Sequence, residues 1–266
     1  MIAYPHIDPV LFQIGPLQVR WYGLMYVLGF IASFVLVRRQ VAEPGRESLA
    51  AHYENLNTAL IVGLILGGRL GYVLFYNLSY YLAHPAEIVA TWQGGMSFHG
   101  ALIGTLAAGI IYCRRQHLDF WMAADTYVVT VPIGLGLGRF GNFINGELYG
   151  RVTDVPWAMV FPDGGDAPRH PSQLYECGLE GMALFAILWG LRRRVRPSGR
   201  LLALFLSCYA LFRFFVEQFR EPDPQIGFLY GRITMGQLLS LLMLAAGLAI
   251  WRLRGNGGAK GSPGNA

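Results

Sequence analysis

The chain has 266 residues, 54% of them hydrophobic and 14% charged, with a mean hydropathy of +0.39 and a net charge of +5. A soluble domain carries about 25% charged residues; here the charge is missing from seven apolar runs of 17 to 20 residues, the length a helix needs to cross a ~30 Å hydrocarbon core. This excludes an ordinary soluble fold, and the basic surplus, almost all arginine with Lys260 the only lysine, fits anionic lipid and the positive-inside bias better than nucleic acid.

In chain order, residues 1–20 form an outer N-terminal segment, where Pro5, Asp8, Pro9 and Pro16 without a basic start argue against a cleavable signal peptide. The spacing then predicts membrane helices over 21–37, 56–75, 96–112, 120–138, 171–189, 201–219 and 233–251. Helices are the expected form because every backbone polar group must be paired within its own segment, and the alternating pattern of a barrel is absent. Residues 46–58 read as a short amphipathic surface segment, 76–95 as an interfacial excursion, and 141–170 as a small periplasmic cap rich in Gly, Pro and Asp. The stretch 252–266 is expected to be a cytoplasmic tail, Gly-rich and disordered. The fold class is an all-α polytopic membrane protein with seven transmembrane helices.

Arginine and lysine set the orientation. Arg38, Arg39 and Arg46 follow the first span, Arg114 and Arg115 the third. Arg192, Arg193, Arg194, Arg196 and Arg200 follow the fifth, and Arg252, Arg254 and Lys260 the seventh. The opposite ends hold Arg20, Arg151, Arg169, Arg220 and Arg232, so 13 basic residues face 5 and the N-terminus is placed outside, the C-terminus inside. Leu66-Gly-Gly-Arg-Leu-Gly71 resembles Leu137-Gly-Arg-Phe-Gly141, through an old duplication or through small residues needed twice. Gly63, Gly67 and Gly71 recur every four residues, as do Gly100 and Gly104, a spacing that lets helix backbones approach closely.

Ionisable residues inside a bilayer are costly, so each is a candidate site residue unless a partner explains it. At about 1.5 Å per residue, Arg69 lies roughly 9 Å below the outer end of its span and Arg213 equally deep in the sixth, with Glu217 nearer the surface. His99 stands just inside the outer start of the third span, and Arg139 at the outer end of the fourth, followed by Asn142, Asn145 and Glu147. Glu176 is in the outer half of the fifth span and Tyr22 opens the first; Asp125 alone belongs to the inner half. Arg213 and Glu217 are four apart and form a stripe with Tyr209, so they read either as a neutralised seam or as site residues. Arg69 reads as a structural partner of Glu176 or Glu180. Three intramembrane arginines exceed what packing requires, and a planar guanidinium that stays charged grips phosphate oxygens in pairs. A phosphate ester at headgroup depth is therefore expected, with a lipid phosphodiester the nearest supply and His99 placed for proton transfer.

Other chemistries find little support. No Cys or His pair stands at metal-ligand spacing, and Cys113, Cys177 and Cys208, isolated within spans, read as small buried apolar side chains. Ser97 and His99 lack a Gly-x-Ser-x-Gly elbow, no Walker-type loop appears, and the Gly134–Gly141 run lacks the strand a dinucleotide site needs.

Four ordered motifs carry a resemblance: His99-Gly-Ala-Leu-Ile-Gly104, Gly138-Arg-Phe-Gly-Asn-Phe-Ile-Asn-Gly-Glu-Leu-Tyr-Gly150, Arg169-His-Pro-Ser-Gln-Leu-Tyr-Glu176 and Arg213-Phe-Phe-Val-Glu-Gln-Phe-Arg-Glu-Pro-Asp223. Across nearly its whole length the chain resembles the prolipoprotein diacylglyceryl transferase family, with Ala101 where many members have a second glycine. The resemblance implies an inner-membrane transferase of lipoprotein biosynthesis, working towards the periplasmic leaflet. Its reaction moves the diacylglyceryl group of phosphatidylglycerol to the lipobox cysteine of a prolipoprotein signal peptide, giving a thioether and glycerol 1-phosphate, without metal or organic cofactor. Carried over, the important residues are Tyr22, His99, Arg139, Asn142, Glu147, Gly150, Tyr209, Arg213 and Glu217. On this reading Arg139 and Arg213 grip the leaving phosphate and His99 takes the thiol proton. Asn142, Glu147 and Glu217 orient the arginines, Tyr22 and Tyr209 contact headgroup or peptide, and Gly150 shapes the cap. The competing class is a transporter of anionic headgroups, which predicts polar residues continuing to the inner face.

Overall fold

The computed structural model describes residues 2–5, 7–15, 17–221, 228–229 and 233–256. Pro16, Arg232, Lys260 and the expected disordered tail beyond Asn256 lie outside the described residues. The protein is mostly helical, and five of its helical segments are long and apolar enough to cross a membrane: 21–41, 53–76, 120–144, 172–191 and 235–255. The two other predicted spans are also helical. Arg200–Val216 has only 17 residues, and Phe98–Arg115 closes on two arginines. Apolar side chains point outward along these segments, among them Phe30, Ile31, Leu66, Leu102 and Leu242. Apolar exposure of this extent marks an interaction surface, here lipid.

The chain folds as two compact units, residues 37–123 and residues 1–36 with 124–266. In the first, α2 (Glu47–Ala50) precedes α3 (Tyr53–Tyr76), then α4 (Leu78–Ala83), short 3₁₀ turns at Pro85–Val89 and Thr91–Gln93, and α5 (Phe98–Arg115). Helix α3 starts earlier than expected, at Tyr53, so residues 53–58 of the predicted surface segment 46–58 belong to it. Helices α3 and α5 pack through their glycines: a Cβ on Gly67 would overlap the Gly100 carbonyl, and one on Gly104 would lie 2.7 Å from the Gly67 Cα. Without lipid-driven burial between helices, such backbone contact supplies the dispersion energy of association.

The second unit opens with a hairpin, β1 (Val10–Ile14) against β2 (Leu17–Arg20), followed by α1 (Trp21–Val41). The predicted span 120–138 is two helices, α6 (Phe120–Val128) and α7 (Val131–Ile144), because Pro132 in the first turn of α7 has no N–H to continue the ladder. Helix α7 runs to Ile144, so residues 141–144, assigned above to the cap, are helical. Tyr4 donates to the terminal carbonyls of Phe143 and Ile144 and packs with Phe143, Met159 and Phe161 as the core beneath the cap. Helices α8 (Ser172–Glu176) and α9 (Leu184–Leu191) flank a π-helical turn, Cys177–Ala183, which lies against α7 where Gly181 meets Gly136. Helices α10 (Arg200–Val216) and α11 (Met235–Asn256) complete the unit, with a two-residue pairing of β3 (Phe228–Leu229) and β4 (Ile233–Thr234) before α11. Asp125, expected in the inner half, accepts from the backbone N–H groups of Gly199 and Leu202 at 2.7 and 2.8 Å. It caps α10 from another helix, meeting the unsatisfied donors of a helix start.

Candidate active site

One buried carboxylate organises the polar core of the second unit. Glu176, whose side chain is 1% exposed, receives three guanidinium groups: Arg139 Nε at 2.6 Å from Oε2, and Arg213 Nη1 and Arg220 Nη1 at 2.5 and 3.2 Å from Oε1. The Arg139 contact is an ion contact whose N–H is not aligned on the oxygen. Helix α7 supplies Arg139, α8 supplies Glu176, and α10 with the residues just after it supplies Arg213 and Arg220. Arg139 and Arg213 thus each have a carboxylate partner. In a low-dielectric interior a cation without a counter-charge is far costlier than a paired one, and Glu176 meets that need for both.

The two arginines differ in what they leave open. Arg213 is engaged on both terminal nitrogens, Nη1 on Glu176 and Nη2 on Glu217 Oε2 at 2.8 Å. Arg139 is held only through Nε; its two terminal nitrogens have no partner among the described residues, and its side chain is 22% exposed. That free edge is the fork that binds phosphate oxygens in pairs.

Glu217 is fixed in turn. Its Oε1 accepts from the Thr234 hydroxyl at 2.9 Å, and its carboxylate fits only because residue 236 has no side chain, since a Cβ there would lie 2.6 Å from it. Asn142 and Asn145 both donate to Glu147 Oε1, at 2.8 and 3.1 Å, so Asn142 and Glu147 bond each other, and among the described residues neither is hydrogen-bonded to an arginine. Tyr22 packs on Gly141 and shares a 3.0 Å hydrogen bond with Tyr26, which is close enough to Arg139 and Glu147 to feel both charges. Tyr209, stacked on Phe205, lies within electrostatic range of Arg139, Arg213, Glu176 and Glu180.

The loop after α7 is held in an uncommon conformation. Leu148 adopts φ 57°, and the Gln173 amide donates to the Glu147 carbonyl at 2.6 Å while the Ser172 hydroxyl donates to that of Leu148 at 3.1 Å. A left-handed non-glycine residue costs of order 1–3 kcal/mol and persists where surrounding bonds over-determine it. Gly150 threads between two backbones: its N–H donates to the His170 carbonyl at 2.8 Å, and a Cβ would overlap the Phe219 carbonyl oxygen. Beside the cap opens an almost wholly apolar cavity of about 540 Å³, lined by Trp157, His170, Tyr175, Leu179, Phe215 and Phe219 among others.

His99 and Arg69 belong to the other unit. His99 is exposed in the first turn of α5, whose start is fixed by the Ser97 hydroxyl accepting from Gly100 N and by Ser97 N donating to the Gly68 carbonyl. Arg69 is buried and donates to the carbonyls of Glu87, Ile88, Gly94 and Gly95 at 2.7 to 3.1 Å. The expected pairing of Arg69 with Glu176 or Glu180 is overturned: backbone dipoles of residues 87–95 solvate its charge. Among the described residues no three His, Cys, Asp or Glu side chains are grouped to hold a metal ion.

Sequence reasoning placed Glu176 in the outer half of its span only as a possible partner of Arg69, counted Arg220 only towards orientation, and gave Ser172 and Gln173 no role. The signal was present, since all four lie in the third and fourth motifs, but which acid would collect the arginines depends on helix rotation at the π-turn.

The sequence profile described as prolipoprotein diacylglyceryl transferase matches residues 9–253. A phosphatidylglycerol–prolipoprotein diacylglyceryl transferase of Desulfotalea psychrophila is 58% identical over 253 residues, 93% of each chain. Proteins of the same name from Geobacter sulfurreducens and Nitratidesulfovibrio vulgaris (strain Miyazaki F) are 56% and 53% identical, covering 94% and 99% of this chain and 96% and 99% of theirs. The chain belongs to the prolipoprotein diacylglyceryl transferase family.

Proposed function

We propose that this protein transfers the diacylglyceryl group of phosphatidylglycerol to the lipobox cysteine of a prolipoprotein, releasing glycerol 1-phosphate. The observation that carries this reading is the asymmetry of the arginines: Arg139 is anchored through Nε on Glu176 with its terminal nitrogens open. A cysteine sulfur attacks the glyceryl carbon; the carbon–sulfur bond forms as the carbon–oxygen bond breaks, and the electron pair leaves on the phosphate oxygen. The phosphate passes from one negative charge towards two, and Arg139 binds it more tightly as that charge grows, which is the differential stabilisation catalysis requires. Arg213 and Arg220 hold Glu176 neutralised, so that this carboxylate anchors Arg139 without repelling the phosphate. His99 takes the thiol proton, since the thiolate is the competent nucleophile. The apolar cavity beside the cap has room for an acyl chain.

In the same reading the protein crosses the bacterial inner membrane seven times, N-terminus outside and C-terminus inside, with the arginines under the periplasmic headgroups. A headgroup transporter draws no support from Asp125, whose oxygens are spent on capping α10. The test uses purified protein, labelled phosphatidylglycerol and a lipobox peptide. Wild type is expected to label the peptide, Arg139→Ala to abolish labelling while remaining folded, and His99→Gln to be severely impaired. An unlabelled peptide with folded wild type rejects the reading; normal turnover of His99→Gln at all pH values removes His99 as the base.

A further inference from the structure

Glu180 is the buried acid that the proposed chemistry leaves unused. Its side chain is fully buried in the π-helical turn, four residues beyond Glu176, and neither carboxyl oxygen has a hydrogen-bond partner among the described residues. The nearest cation, Arg213 Nη1, is 3.9 Å away and already bound to Glu176. The charged and titratable groups facing it are Glu176 on its own segment, Arg139 from α7, Tyr209 and Arg213 from α10, and Arg220 just beyond. A buried carboxylate with no hydrogen bond bears nearly the full penalty of lost hydration, and a group so placed takes up a proton instead. A second ionised carboxylate beside Glu176 would add like-charge repulsion.

We propose that Glu180 is held as a neutral carboxylic acid and acts as a positioning residue for the arginine cluster. Left neutral, it does not compete for Arg213, which stays divided between Glu176 and Glu217. It also adds no further negative charge beside Arg139, whose terminal nitrogens stay open for an anion, and to this extent the inference rests on the phosphate role given to Arg139. No proton moves through Glu180 in this scheme; it stays on the acid throughout.

The experiment is infrared spectroscopy of the full-length protein in detergent at pH 7, with ¹³C-labelled glutamate to assign bands, beside transfer kinetics. A protonated-acid carbonyl band is expected in wild type, retained in Glu217→Gln, and lost in Glu180→Gln. Glu180→Gln, which keeps shape and neutrality, should lower kcat/KM for phosphatidylglycerol by no more than about threefold, whereas Glu176→Gln should lower it by about 150-fold. Absence of the band, or a Glu180→Gln loss as deep as that of Glu176→Gln, overturns the inference. If Glu180→Gln fails to fold, Glu180→Asp replaces it: the band should lose its ¹³C-glutamate shift there, and a band that keeps that shift overturns the inference. Wild type that shows the band but leaves the peptide unmodified refutes the proposed reaction alone, so the two failures are separable.

Discussion

Glu176→Gln removes one charge from the centre of the site and almost nothing else. The glutamine keeps the volume of a side chain that is 1% exposed, but the ion contacts to Arg139, Arg213 and Arg220, at 2.6, 2.5 and 3.2 Å, become contacts to a neutral amide. Removing one partner from a buried ion pair costs about 3–5 kcal/mol, because the remaining charge is left without compensation. Here the uncompensated groups are three cations facing one another. Part of the loss falls on folding and part on the placement of Arg139, whose Nε has no other anchor among the described residues. If about 3 kcal/mol of it is felt at the transition state, then at 1.36 kcal/mol per tenfold kcat/KM falls roughly 150-fold. The assay is initial-rate transfer from phosphatidylglycerol to a lipobox peptide, with thermal unfolding of the same preparation. A variant that unfolds at the wild-type temperature and keeps kcat/KM within about threefold would refute the view that Glu176 organises the site.

Three further outcomes are expected. Arg69→Ala leaves four backbone carbonyls without their donor, at about 1–3 kcal/mol for each that stays dry; limited proteolysis should show faster cleavage within residues 84–96, and an unchanged pattern refutes the clamp. Gly150→Ala forces the Phe219 and His170 backbones apart, for about 1–3 kcal/mol or more, which lowers the unfolding midpoint and loosens the cap in hydrogen exchange. Burial pushes the His170 imidazole below the usual histidine value, so folding favours its neutral form. The stability this contributes is present above about pH 6.5 and is lost as pH falls through that value towards the lower folded one. Unfolding midpoints measured from pH 7.5 down to 5.5 should fall less in His170→Gln than in wild type.

Much of this arrangement was legible in the sequence because membrane proteins write their fold in long apolar runs. The helices of α1, α3 and α11 lie where the spacing predicts them, and the glycines of α3 and α5 meet at the predicted four-residue repeat. The break before Pro132 was written there too, but within an apolar run that reads as continuous. What pattern alone does not carry is rotation about a helix axis. Depth alone does not say which of Glu176, Glu180 and Glu217 an arginine pairs with. The structure gives Glu176 three of them and Glu180 none within hydrogen-bond reach. Arg69 shows the other limit: its partners are main-chain carbonyls of an irregular segment, which no residue type announces.

Gly236 shows how a helix can enter the chemistry by omission. Helix α11 places no side chain on Glu176, yet the absent Cβ at its second residue is what gives the Glu217 carboxylate its berth against Arg213. A side chain at that position would have to displace the Glu217 carboxylate, and with it the Arg213 guanidinium that this acid holds. The packing of α11 against the Glu217 carboxylate therefore bears on how Arg213 is held, through a residue that has no side chain of its own.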